Sequence, residues 1–243
     1  MPTQPPRSRK RAGASPAAAP VPAPAKKAAP PVVKKRSPGR PKGAAPVSRD
    51  HLLDAALACF VRRGIAATSL RDVAGEAKVT PALLHYYFGD KAALVEALVA
   101  ERMLPALQGV RARVFAAGED IAATVAGFVC GVTEVMQRNP WWPQLWVREV
   151  LCEGGALRDL LVMRVAPDLA RTIVARFAAA QARGELNPGL DPRLLMTSLV
   201  GLTLFPAAGA PIWRSLFAAD DLDLDDVRSH AIALLDRGLE LKS

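Results

Sequence analysis

Between Thr80 and Lys91 the chain gathers side chains that hydrogen-bond well: Thr80, His85, Tyr86, Tyr87 and Lys91, with Thr68 a little upstream. Hydroxyls and an imidazole can both donate and accept, while a lysine ammonium donates to anionic oxygens. That mixture suits the base edges and phosphates of a DNA duplex. It does not suit a reaction centre, which needs an acid beside a base or a nucleophile beside its activator. The three histidines, His51, His85 and His230, lie far apart and lack metal-ligand spacing. Cys59, Cys130 and Cys152 form no paired motif, which argues for reduced thiols rather than disulfides or zinc. The chain has neither a phosphate-cradling glycine loop nor a nucleophile elbow. It therefore reads as a protein that is not an enzyme, with no metal and no cofactor.

Two short helices joined by a tight turn would hold these residues. Thr68 precedes apolar positions at helical period (Leu70, Val73, Ala74, Ala77), which makes it a plausible N-cap. Thr80 can cap a second helix, with Pro81 at its first position, where a missing N–H costs nothing. Ala74 is small where the helices must approach, and Val79 and Leu84 would fill the angle between them. This is the helix-turn-helix pattern, whose second helix enters the major groove. A two-helix segment of an ordinary bundle has the same periodicity.

Residues 48–98 resemble the N-terminal DNA-binding domain of the TetR family of bacterial transcriptional regulators. The resemblance runs from an amphipathic first helix (Leu53, Ala56, Phe60) through Arg63-Gly64-Ile65 to Val79-Thr80. It ends with Leu84-His85-Tyr86-Tyr87-Phe88 and Lys91. It implies a recognition helix over about Thr80 to Tyr87 and a homodimer on a near-palindromic operator. Three residues depart from the family pattern. Lys78 stands where glycine is usual and must accept a left-handed or adjusted turn. Ala82 stands where glycine is common, and His85 where tyrosine is.

The expected DNA contacts are Thr68, Thr80, Pro81, Ala82, His85, Tyr86, Tyr87 and Lys91. Thr68 and Thr80 would cap helices in any case, and their hydroxyls can add phosphate contacts. Tyr86 and Tyr87 reach a phosphate or base edge or pack beneath the domain, and His85 meets the groove or solvent. Lys91 bonds a phosphate by analogy with its family counterpart. Pro81, Ala82 and Leu83 offer few hydrogen bonds, so thymine-methyl contact or shape readout falls to them.

Residues 1–47 have a different composition, rich in Pro, Ala, Lys and Arg, with eleven basic residues, no acid and no aromatic. The chain carries +9, so the remaining 196 residues sum to −2 and the basic character belongs to this tail. Such a segment buries too little apolar surface to offset its ordering entropy, and a basic arm attracts polyanions. Arg36-Ser37-Pro38-Gly39-Arg40-Pro41-Lys42 looks like an AT-hook, with Arg40 reaching into a narrow minor groove. A solvated leader is the alternative. A transit peptide is disfavoured, because the many prolines forbid an amphipathic helix.

From residue 99 to 243 the pattern is all-α, with about ten helices in the whole chain, and the family resemblance implies an effector-binding and dimerisation domain there. Helical periodicity covers Pro105–Ala117, Ile121–Gln137, Trp142–Cys152, Ala156–Arg183 with a restart at Pro167, Pro192–Phe205 and Leu224–Leu239. The uncharged run from Leu194 to Trp213 is broken by Pro206, Gly209 and Pro211, and reads as a buried helix followed by a loop rather than a membrane span. Leu195, Leu199 and Leu202 with Val227, Ala231, Leu234 and Leu235 are the expected dimer interface, with intrachain burial as the alternative. Phe128, Met136, Trp142, Trp146, Met163 and Phe177 could line an effector pocket, or be plain core. Arg148, Glu149 and Glu153 follow Trp146 as a solvated charged face, or orient a polar ligand group.

Together these features imply a cytoplasmic, nucleoid-associated bacterial protein. Its expected partners are double-stranded DNA, a second copy and an unknown small-molecule effector, with no membrane. The expected function is repression relieved by that effector. The rival is an architectural DNA-binding protein that has no effector and binds chiefly through its tail.

Overall fold

The computed structural model describes residues 47–161, 163 and 167–239. Among them every regular element is helical, as the lack of strand alternation predicts. Helix α1 (Arg49–Arg63) starts where the Ser48 hydroxyl accepts from the His51 N–H, and stops at Gly64, whose N–H donates to Phe60 O. It buries Leu52, Leu53, Ala56, Cys59 and Phe60. Helix α2 (Leu70–Glu76) is capped by Ser69, one residue later than expected. Ser69 and Asp72 exchange side chain-to-backbone bonds in a capping box, which Thr68 has no acid at the right spacing to form.

The turn after α2 is a Schellman motif. Lys78 N–H donates to Gly75 O and Val79 N–H to Ala74 O, and of the left-handed or adjusted turn expected Lys78 takes the left-handed one, with φ +55°. Helix α3 (Pro81–Phe88) follows from Thr80, whose side chain makes no capping bond, and α4 (Lys91–Leu98) from Asp90, whose carboxylate accepts from Ala93 N–H. Ala74 and Leu84 are buried between α2 and α3. Through a π-helical turn, Val99–Met103, α4 runs on into α5 (Leu104–Ala116). One rod thus joins the small domain to the large one.

In the larger part follow α6 (Ile121–Arg138), α7 (Trp142–Trp146), α8 (Arg158–Leu160), α9 (Pro167–Ala182), α10 (Pro192–Ala208), α11 (Ala210–Phe217) and α12 (Leu224–Leu239). Helix α6 lies at its centre, packed against α5, α9, α10 and α12. After α7 the chain makes a second π-helical turn, Val147–Leu151. Within the segment Ala156–Arg183 the restart expected at Pro167 is the start of α9, and α8 precedes it.

The stretch expected as a loop is helix. Pro206 removes one N–H from the end of α10 without ending it, and Pro211 sits at the second position of α11, where no N–H is needed. The chain turns by 70° between these helices, and Trp213 Nε1 donates to Pro206 O at 2.8 Å across the corner. With α8 and α11 counted, the described residues hold twelve α-helical segments, against about ten expected. No single helix among them is long and apolar enough to cross a membrane.

The expected dimer residues divide. Leu195, Leu199, Ala231 and Leu235 are buried within the protomer, so they are core and offer no surface to a second copy. Leu202 and Val227 are half-buried, and Leu234 is exposed. On a helix apolar all round, one row must face the core. Here that row is Leu195, Leu199 and Thr203, which leaves Leu194, Ser198, Gly201 and Phe205 outward. On α11, Ile212, Leu216 and Phe217 are exposed as well.

Candidate nucleic-acid interface

Helix α3 presents one face and buries the other. Leu84 and Phe88 go into the core, while Thr80, Pro81, Ala82, His85 and Tyr86 are exposed. Tyr86 stands out furthest, at 83% exposure, its ring edge-on to Tyr87 with centroids 5.5 Å apart. The back of α3 is pinned by Arg49. Its guanidinium donates to Tyr87 O at 3.0 Å, lies 4.4 Å over the Phe88 ring and pairs with Glu101 at 2.7 Å. A rigid helix with a projecting polar edge can be read against a groove without ordering cost.

His85 has a defined orientation. Its Nδ1 lies 2.6 Å from Gly89 O, and a carbonyl only accepts, so Nδ1 carries the proton. That tautomer leaves Nε2 as an acceptor on an exposed side chain, suited to the exocyclic amines of adenine or cytosine. Tyr87 is half-buried and its hydroxyl donates to Val47 O at 3.1 Å, so it braces the domain's N-terminus. Lys91 donates to Ala66 O at 2.9 Å and makes no ion pair among the described residues.

Thr68 is 2% exposed, and its hydroxyl donates to Gly64 O at 2.7 Å, so it holds the α1–α2 turn and cannot touch DNA. The Thr spacing alone could not separate a cap from a buried turn residue. Arg40 lies outside the described residues.

Residues 48–98 contain six basic and six acidic side chains, so the folded DNA-reading part has no net charge. Arg62 and Arg63 are taken up by Glu76 and Asp72. Arg71 and Lys78 are exposed and make no ion pair among the described residues, which leaves both available for phosphates. Sequence motifs do not single out these two cations, and only the pattern of ion pairs distinguishes them from their neighbours.

A second site lies in the larger domain. A cavity of about 620 Å³ opens between α5, α6, α7, α9 and α10, lined by Leu104, Leu107, Phe128, Val132, Trp142, Trp146, Met196 and Val200 with Gln108, Arg111 and Thr197 as its polar groups. Phe128, Trp142 and Trp146 line it as expected. Met136 and Phe177 instead fill the core, both 1% exposed, and Met163 points to solvent at 75%. Helical spacing identifies an inward face but cannot say whether it meets a void or a neighbour. Glu149 departs from a solvated face, being buried against Ile65, while Arg148 is exposed and donates to Val61 O. Glu153 is exposed.

Comparison with known proteins bears on the helix-turn-helix segment and on the fold. Residues 52–98 match the family model of bacterial regulatory proteins, tetR family. Over 60 residues the chain is 40% identical to the HTH-type transcriptional regulator TtgR of Pseudomonas putida, a stretch covering 25% of this chain and 29% of that one. The curated match thus spans under a third of the relative's length. A putative TetR-family transcriptional regulator from Rhodococcus sp. superposes with a TM-score of 0.50 at 27% identity, over 79% of this chain and 98% of the other. The ketosteroid transcriptional regulator KstR2 of Mycobacterium tuberculosis shares the fold, with a TM-score of 0.62 at 19% identity over 80% and 95% of the two chains.

Proposed function

We infer that this chain, a TetR-family DNA-binding regulator by its residues 52–98, is a homodimeric repressor released from a near-palindromic operator by a small apolar effector. The observation that carries the reading is the exposed edge of α3, with Ala82, His85 and Tyr86 projecting from a helix anchored by Leu84, Phe88 and Arg49. Ala82, His85 and Tyr86 meet base edges. Thr80, Lys78, Arg71 and Lys91 meet phosphates, and Arg40 of the tail enters a narrow minor groove. The setting is the bacterial cytoplasm.

A second copy covers the outward row of α10, Leu194 to Phe205, together with Leu234 of α12. Two α3 helices then lie one DNA turn apart, and the operator takes on the dimer's two-fold symmetry. An effector occupies the cavity beside Trp142 and Trp146. Because Leu104 and Leu107 of its wall belong to the rod that continues into α4, occupancy shifts the population toward a spacing that no longer fits the operator.

The charge distribution supports one rival. With a neutral DNA-reading domain, the eleven charges of the tail could dominate binding, as in an architectural protein. Selection of binding sites from random duplex DNA with the full-length protein, at near-physiological salt, separates the two. A single palindrome with half-sites about one turn apart upholds the repressor. Recovery of only AT-rich, asymmetric sequences overturns it in favour of the tail.

A further inference from the structure

The buried Glu149 carboxylate joins the wall of the cavity to the DNA-reading domain. It is 4% exposed, with Oε1 accepting from Ile65 N–H at 2.8 Å and Oε2 from Ala156 N–H at 3.1 Å. Ile65 lies in the turn between α1 and α2. Beside it, Arg148 Nη1 donates at 2.8 Å to Val61 O, a carbonyl in the last turn of α1. The fit leaves no slack. A Cβ on Gly64, where φ is +85°, would lie 3.1 Å from Glu149 Oε1 and 3.2 Å from Arg148 Cδ. On the far side a Cβ on Gly155 would meet Glu149 O at 2.4 Å. The turn itself is tied to the start of α2 by the Thr68 hydroxyl on Gly64 O.

Glu149 stands three residues beyond Trp146 on one continuous helical run, and Trp142 and Trp146 both line the cavity. The run ends in the π-helical turn, closed by Cys152 N–H on Val147 O at 3.0 Å. A π turn holds an extra residue, so side chains beyond it are rotated relative to those before it.

We propose that Glu149 and Arg148 are positioning residues that convey the state of the cavity to the α1–α2 turn, a second link beside the α4–α5 rod. The proposal rests on the reading of the cavity as an effector site. A ligand pressed against Trp142 and Trp146 displaces α7. A buried carboxylate cannot lag behind or let go, because release would strand a desolvated charge and two N–H groups. The turn therefore moves with α7, and α2 carries α3 with it.

The test uses the full-length chain and anilinonaphthalene sulfonate, a fluorescent apolar anion, with binding followed by its emission. Backbone hydrogen exchange over residues 61–68 is measured with and without the probe. Exchange at Ile65 changes about tenfold on binding in the native chain and by less than about twofold in Glu149→Leu, which has no acceptor for the Ile65 N–H and still binds the probe. An equal response in Glu149→Leu, or none in the native chain with probe bound, overturns the proposal. Failure of the probe to bind counts against the cavity as an effector site. The link is then decided by Ala170→Trp, which fills the cavity from α9, alone and combined with Glu149→Leu. A change at Ile65 that vanishes in the double variant upholds the link, and one that persists, or no change, overturns it. Should Glu149→Leu not fold, Arg148→Ala at the exposed end of the same contact replaces it.

Discussion

His85 and Tyr86 divide the work at the tip of α3 differently from a pair of tyrosines. Tyr86 carries a rotatable hydroxyl on an exposed ring, whereas His85 is locked by Gly89 O with Nε2 left as an acceptor. His85→Ala is expected to relax preference at one base pair per half-site, at about 1–3 kcal/mol. Tyr86→Ala should weaken binding and leave thermal stability nearly intact. Competition binding against single-base operator variants distinguishes the two, and unchanged affinity in both would refute the docking of α3. Lys78 shows a different residue-scale conflict, a side chain forced to φ +55°. Lys78→Gly should stabilise the protein by about 1 kcal/mol in urea denaturation. Because it also removes a cation that has no ion pair among the described residues, operator affinity should fall in parallel and more steeply at low salt.

At the scale of an element, α2 depends on its capping box. The Asp72 carboxyl is held down to about 2 from its ordinary 3.8, first by the Ser69 hydroxyl, then by the Ser69 N–H and Arg63. A carboxyl depressed in the folded state contributes stability that is present above its ordinary value and is lost as pH falls toward the folded one. Thermal stability should therefore drop between about pH 4 and pH 2, and Ser69→Ala should flatten that part of the profile. A profile unchanged by Ser69→Ala would show that other carboxyls govern the acid limb. Thr68 illustrates why sequence pattern places the cap one residue early. Both Thr68 and Ser69 are acceptable caps, and only the distance to Asp72 decides between them.

For the whole molecule, charge and apolar surface are segregated. The tail holds eleven positive charges, residues 48–98 are neutral, and α10 and α11 expose Leu194, Phe205, Ile212, Leu216 and Phe217. Removing residues 1–47 should keep site preference but shallow the salt dependence, by about 0.9 in slope for each phosphate that the tail had neutralised. Loss of site preference instead would make the tail a reader. Phe205→Glu, at a residue 74% exposed in the protomer, should halve the mass seen by sedimentation equilibrium and abolish tight binding to a two-fold operator. A dimer that survives this change would point to a different interface.

Local order was legible in the chain itself. Apolar period, capping residues and the proline and glycine breaks determined that α1 to α4 form, and the family resemblance added that Lys78 must accept a left-handed or adjusted turn. These follow from neighbours a few residues apart, where backbone sterics and hydrogen bonding are decided. Tertiary packing alone decided which apolar side chains met a void, a core or solvent. Trp142 and Trp146 line the cavity while Met136 and Phe177 fill the core, and Leu199 is buried while Phe205 is not. It also decided that Glu149 would be buried against Ile65, 84 residues away. Periodicity assigns a side chain to a face of its own helix, and what lies opposite that face is set by contacts between residues distant in the chain.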